Sequence, residues 1–161
     1  LSEAQPVEMA FTVPGNPRGQ GRPRARGFTT KDGKQAISLY KDGKDRDYEM
    51  AILTAYLAAM KGKKAPARDS YAYVAMGLTA YFVVPKSWPK WRREAVNGMP
   101  VYHISRPDLT NIEKAVEDAL EGHAYHNDSV IAANVGLKLY TLRESRLLVT
   151  LTYYPVRERR T

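Results

Sequence analysis

The sequence contains no cysteine. That excludes disulfides, thiol nucleophiles and zinc–thiolate sites, and it agrees with a reducing, cytoplasmic setting. Long hydrophobic runs are also missing. The longest largely apolar stretch, Ala51 to Met60, is far too short to span a bilayer, so no membrane partner is expected. The first residues lack the basic region followed by an apolar one that marks a secretory signal. Leu1 stands where a starting Met would, as in a processed or trimmed chain. The glycine-rich stretch near the N-terminus is not followed by Gly-Lys-Ser/Thr, so it is no Walker loop. There is no internal repeat, low-complexity block or interdomain linker.

What is present is a chain of 161 residues with 43% apolar and 26% charged residues. These values fit one globular domain spanning 1–161. Net charge is +8 and the pI is near 9.7, a balance that favours an anionic partner, nucleic acid first and a membrane surface second. The charge is densest from Pro14 to Arg46, where nine Lys/Arg face three Asp. Within it, GQGRPRARG sets Arg22, Arg24 and Arg26 on a glycine-rich backbone just after Arg18. Guanidinium forks on a flexible segment can follow a phosphate backbone; a solvated loop is the plainer reading.

The hydrophobic pattern predicts alternating strands and helices. Val7–Val13 reads as a strand, 27–40 as a hairpin turning at Lys31-Asp32-Gly33-Lys34, and 45–61 as a helix with Tyr48, Ile52, Ala55, Tyr56 and Ala59 inside. Tyr71–Val84 reads as a long central strand. Ser87 is expected to cap a basic helix running through Trp88 to Val96, with Trp88 and Trp91 packed on the sheet in preference to touching DNA. Val101–Ile104 makes a short strand carrying His103. Val130–Tyr140 and Arg146–Tyr154 are expected to pair as an antiparallel hairpin through 142–145. Arg157–Arg160 is a charged tail, expected to fray. The fold class is α/β (α+β): a mixed, largely antiparallel sheet of about four strands with helices packed on it.

Chemistry concentrates in RPDLTNIEKAVEDALEGHAYHNDSVI, from Arg106 to Ile131. Pro107 suits a helix start and Gly122 a helix end. Leu109, Ile112, Val116, Ala119 and Leu120 make one apolar face, with Asn111, Lys114 and Asp118 beside it. Asp108 sits at the mouth of this helix, and Asp128 follows once the chain has turned back. Acids at a helix mouth and on a returning loop, with a lysine between, suit a hard divalent cation and a phosphate. Each residue also has an ordinary reading: Asp108 as a helix cap, Lys114–Asp118 as a surface ion pair, Asp128 as a turn residue.

The same residues carry a family resemblance. Arg106-Pro107-Asp108-Leu109-Thr110-Asn111, Lys114-Ala115, Asp118-Ala119-Leu120, Gly122 and Asn127-Asp128 resemble the signature of the RusA family of Holliday junction resolvases. These are metal-dependent endonucleases of bacteria and their phages. The resemblance puts metal-binding acids at Asp108 and Asp128 and the catalytic lysine at Lys114. It departs at Thr110, where well-known members carry an aspartate. Asp118 then joins as a third candidate metal ligand, or fewer ions bind, or activity is lower.

The resemblance implies a hydrolase that resolves branched DNA in recombination and repair. Its cofactor would be Mg²⁺ or Mn²⁺ and its assembly a homodimer, the latter also suited to the approximate two-fold symmetry of a four-way junction. Thr110 and Asn111 are expected to orient the site. Arg18, Arg22, Arg24, Arg26 and Arg106 are the expected DNA-binding residues. Two other readings stay open: a DNA-binding protein without catalysis, and a basic RNA-binding or protein-interaction domain whose acids only cap a helix.

Overall fold

The computed structural model describes residues 4–156. Its main sheet has four strands in the order β1-β6-β4-β5: β1 (Val7–Pro14), β4 (Tyr71–Val83), β5 (Ile131–Thr141) and β6 (Arg146–Pro155). β1 and β4 are both antiparallel to β6, whereas β5 runs parallel to β4. A separate two-stranded ribbon is made by β2 (Arg24–Thr29) and β3 (Gln35–Tyr40). Three helices complete the chain: α1 (Gly43–Met60), α2 (Lys90–Gly98) and α3 (Leu109–Leu120). The expected mixed, largely antiparallel sheet of four strands with helices is therefore the observed fold. The charged tail from Arg157 lies outside the described residues.

The core forms between one sheet face and the helices. β4 buries Val74, Met76, Leu78, Ala80 and Phe82, β6 buries Leu147, Val149, Leu151 and Tyr153, and β1 adds Phe11 and Val13. α1 covers this face with Ile52 and Tyr56, and α3 with Ile112, Ala115, Val116, Ala119 and Leu120. Each fully buried large aliphatic side chain stabilises the fold by about 1.5–3 kcal/mol. The sheet is tight at its centre: a Cβ on Gly77 would run into the Thr150 side chain of the paired strand.

Five details differ from the sequence reading. Val101–Ile104 does not form the expected strand; only an isolated bridge joins Tyr102 to Leu139 of β5. β5 and β6 are not a hairpin; β4 lies between them. The 142–145 connection passes the end of β4, where the Val83 N–H donates to Ser145 Oγ at 2.9 Å. The parallel β4–β5 pair is joined by the long α2–α3 crossover that such pairs require. Pro89 rather than Ser87 occupies the N-cap of α2, with no side-chain cap bond. Trp88 packs on Tyr140 under the Arg92 guanidinium, but Trp91 is 72% exposed. In α1, Ala59 faces solvent, while Leu53 and Met60 pack on the core beside Tyr48 and Ala55.

Candidate active site

α3 is the spine of the site. Its N-cap is Asp108, yet that side chain makes no capping hydrogen bond. The carboxylate is exposed and enters no ion pair with a described residue. Two neighbours fix the backbone here. Lys138 on β5 donates Nζ hydrogen bonds to the Ser105 and Pro107 carbonyls at 2.6 and 2.7 Å. From the other side Gly19 packs so closely that a Cβ would lie 2.8 Å from Asn111 Cβ, and the Gln20 N–H donates to the Asn111 carbonyl at 2.8 Å. Thr110 and Asn111 present exposed side chains on the first turn.

The far end of α3 is equally well fixed. Gly122, at φ +78°, lets the chain reverse. Tyr125 is buried and donates its hydroxyl to the Glu117 carbonyl at 3.0 Å, and Tyr153 donates to the Ala124 carbonyl at 2.9 Å. Asn127 caps the turn Asp128–Val130 by accepting the Ser129 N–H. That leaves the exposed Asp128 carboxylate free of any capping bond to a described residue. Asp128 is thus a turn residue, as its ordinary reading has it, but the capping bond is made by Asn127.

Within one chain the two free acids sit toward opposite ends of α3. Gly136 of β5 lies against Leu109 and Glu113, and Lys138 against Pro107, whereas Asp128 precedes the start of β5. Its charge is felt instead at Glu117, whose pKa is raised first by partial burial and then by Asp128 and Glu113. Glu117 is nine residues beyond Asp108, about 13 Å along the helix axis. Among the described residues, no three His, Asp or Glu side chains form a ready metal cluster. Glu113 and Glu117, with raised pKa values and half-buried side chains, were not singled out from sequence, although their i, i+4 spacing put them on one flank.

Asp118 turns the other way. Its Oδ2 accepts from Gln20 Nε2 at 2.6 Å and from Lys41 Nζ at 2.9 Å, while Lys114 Nζ is 3.8 Å from its Oδ1. Glu49 of α1 shares the same two donors. Burial alone would raise the Asp118 pKa, but the Lys41 and Gln20 hydrogen bonds hold it below its ordinary 3.8. Lys41 is partly buried, which works against its charge, yet Glu49 and Asp118 raise it above its ordinary 10.5. This network joins α1, α3 and the segments flanking the ribbon.

Lys41→Met leaves two half-buried acids with one amide, so we expect a loss of about 1 kcal/mol after allowing for water reaching the lysine. The sign with pH follows from the two shifts. The Asp118 contribution is present above pH 3.8 and is lost as pH falls through its lowered folded value; the Lys41 contribution is complete below pH 10.5 and is lost as pH rises through its raised value. Urea midpoints against pH should show a shallower acid limb in the variant.

The basic segment is not the flexible loop expected. Arg18 donates to the buried Asp45 through Nε at 2.9 Å and approaches it through Nη2 at 2.8 Å, and the Gly21 N–H also bonds Asp45. Arg24 pairs with Asp42 at 2.6 Å. Arg24 and Arg26 lie in β2. Arg22, Arg26 and Arg106 are exposed without an ion pair to a described residue. His103 stacks on Phe82 at a centroid distance of 3.9 Å, and its pKa is lowered by burial and by Lys138; it is a packing residue.

A model of the RusA endodeoxyribonuclease family matches residues 14–152. The chain belongs to the RusA family. It is also similar to the uncharacterized protein YqaN of Bacillus subtilis (strain 168), with 28% identity over 136 residues covering 83% of this chain and 88% of that protein. RusA enzymes are endodeoxyribonucleases acting on branched DNA junctions, so the matched span, which holds the whole of α3 and both free acids, is that of a nuclease. No helix among the described residues is long and apolar enough to cross a membrane. Lys138, not singled out from sequence, holds the segment leading to Asp108 through the Ser105 and Pro107 carbonyls. Should Asp108 hold a catalytic ion, Lys138→Met is expected to lower single-turnover junction cleavage by about 10- to 100-fold, as loss of an outer-shell support does, with junction affinity nearly unchanged.

Proposed function

We propose that this RusA-family protein is a divalent-metal-dependent, dimeric nuclease that resolves four-way DNA junctions in recombination and repair. The observation that carries the metal reading is the pair of exposed carboxylates, Asp108 and Asp128, neither spent on the local capping bond its position invites. Two hard oxygen donors, with water and substrate oxygens for the rest, are the usual protein share of a Mg²⁺ or Mn²⁺ site. When bound, such an ion supplies Lewis acidity toward the phosphoryl oxygen and lowers the pKa of an attacking water. Lys114, exposed one helical turn from Thr110, offers an ammonium to developing negative charge. Asp118 is better described as the anchor of the Lys41–Gln20 network, beside Lys114, than as a ligand.

The separation of the two acids along α3 supports a site shared between two copies. β5 is an edge strand. Its last part is covered by the segment 101–103, through the Tyr102–Leu139 bridge. Ile131–Leu137 keeps its outer edge, with Val135 67% and Leu137 39% exposed. A long apolar edge of this kind invites strand pairing. In an antiparallel pairing about Asn134, Ile131 of one copy faces Leu137 of the other. The residues before Ile131 then run toward the segment 102–108 of the second copy. Asp128 of one copy thereby approaches Asp108 of the other, twice per C₂ dimer, matching the two strands a junction resolvase must cut.

The test is cleavage of a labelled four-way junction against linear duplex, with and without Mg²⁺. Paired, metal-dependent nicks in the junction are expected. Metal-independent cleavage, or tight binding with no product at any Mg²⁺ concentration, would remove the catalytic reading.

A further inference from the structure

We propose that the β2–β3 ribbon is a DNA-gripping arm that lies in the major groove of a duplex arm beside the crossover. This rests on the reading of branched DNA as substrate and adds a surface to it. The ribbon is a sheet of its own, and no residue of β2 or β3 is buried. A two-stranded hairpin alone is marginally stable in water, so one standing clear of the core has an unfilled surface.

Register divides that surface. Arg24, Arg26 and Phe28 share a face with Tyr40, Ser38 and Ala36; Ala25, Gly27 and Thr29 share the other with Leu39, Ile37 and Gln35. The turn adds Lys31 and Lys34. Against these four cations stands only Asp32, so residues 24–40 carry a net +3 (four minus one). Arg24 is occupied by Asp42, but Arg26, Lys31 and Lys34 form no ion pair with a described residue. An anionic polymer neutralises such a strip, whereas a second copy of this basic chain would oppose like charges.

The dimensions also suit DNA. Six-residue strands run about 20 Å, and two of them lie about 5 Å apart. A two-stranded ribbon of that width enters a major groove about 12 Å wide. The cationic face, with Arg26 opposite Ser38 at its centre, meets the groove, and Arg26, Lys31 and Lys34 reach phosphates. Ile37 and Leu39 face away. Phosphate contacts of this type hold and orient a duplex without reading its sequence.

The experiment uses the full chain and a fluorescent four-way junction without divalent metal, so that binding is read apart from cleavage. The combined Arg26→Ala, Lys31→Ala, Lys34→Ala variant should bind at least about tenfold more weakly. Its log affinity against log salt should be shallower by about 2–3 per protomer, at an unchanged melting temperature. Ser38→Cys, a unique thiol in a cysteine-free chain, carries an iron chelate that should cut the duplex arm. Ile37→Ser with Leu39→Ser should alter neither binding nor oligomeric state. An unchanged salt slope in the cationic variant, or no strand damage from the tethered chelate, would overturn the arm. So would a change of oligomeric state in the aliphatic variant with the salt slope intact, which assigns the ribbon to a second copy. Wild-type protein that ignores the junction brings down the substrate reading itself; wild-type binding beside an indifferent triple variant brings down only the arm.

Discussion

Asp128→Asn should reduce junction cleavage by roughly a thousandfold or more while junction binding holds or tightens. Asn127 already supplies the cap of the Asp128–Val130 turn, and the loop behind it is fixed by Tyr125 and Tyr153. The substitution keeps shape and local hydrogen bonding and removes one negative charge from an exposed position. Folding therefore has little to lose, and attraction to a polyanion rises slightly. If Asp128 holds the ion, catalysis loses a charged oxygen donor, and Thr110, where well-known family members carry an aspartate, offers only a neutral hydroxyl. A thousandfold loss corresponds to about 4 kcal/mol of transition-state stabilisation, a reasonable share for a ligand of the ion that activates water. Single-turnover cleavage beside an anisotropy titration separates the two effects. Near-normal cleavage would remove Asp128 from the machinery, and parallel loss of binding would make it a folding residue.

The variant also bears on Glu117. Burial raises its pKa first, and the Asp128 charge adds to that. Removing that charge brings the Glu117 pKa back toward its ordinary 4.5, a direction that carbon-detected NMR titration can follow. A shift of this kind reports that Asp128 sits over the second half of α3 in solution.

The legible parts of this chain were those whose signals are local. The alternation of Tyr71–Val83 gave β4 its place at the centre, and Pro107 and Gly122 bracketed α3. The Lys31–Lys34 turn announced the ribbon, although its first strand reaches back to Arg24. What stayed hidden depends on neighbours distant in sequence. The β5–β6 connection looked like a hairpin because nothing in residues 131–155 reveals that β4 inserts between the strands. Asp118 looked available for a metal because its partners, Gln20 and Lys41, are 98 and 77 residues away. Arg18 looked like an unpaired cation because its partner, Asp45 of α1, lies 27 residues further along the chain. Lys138 carried no motif at all, since its role lies in two backbone carbonyls of another segment.

The sharpest consequence of acids set toward opposite ends of α3 is complementation. Asp108→Asn and Asp128→Asn proteins, each nearly inactive alone, should regain nicking activity when mixed and allowed to exchange subunits. If each site takes Asp108 from one copy and Asp128 from the other, a mixed dimer concentrates both lesions in one site and leaves the second intact. With random exchange half of the dimers are mixed, so about a quarter of all sites are restored, far above either variant alone. If both acids instead came from the same chain, every site in every mixed dimer would hold one lesion, and mixing would restore nothing. The products differ too. A mixed dimer cuts one strand, so it should give nicked junctions and few resolved duplexes. A β5 variant such as Val135→Lys should weaken the dimer and slow the wild-type enzyme at low protein concentration, because the free edge Ile131–Leu137 is where the second copy would pair. Failure of the mixture to recover, with subunit exchange verified, would place catalysis within the single chain and require its two acids to move together on binding DNA.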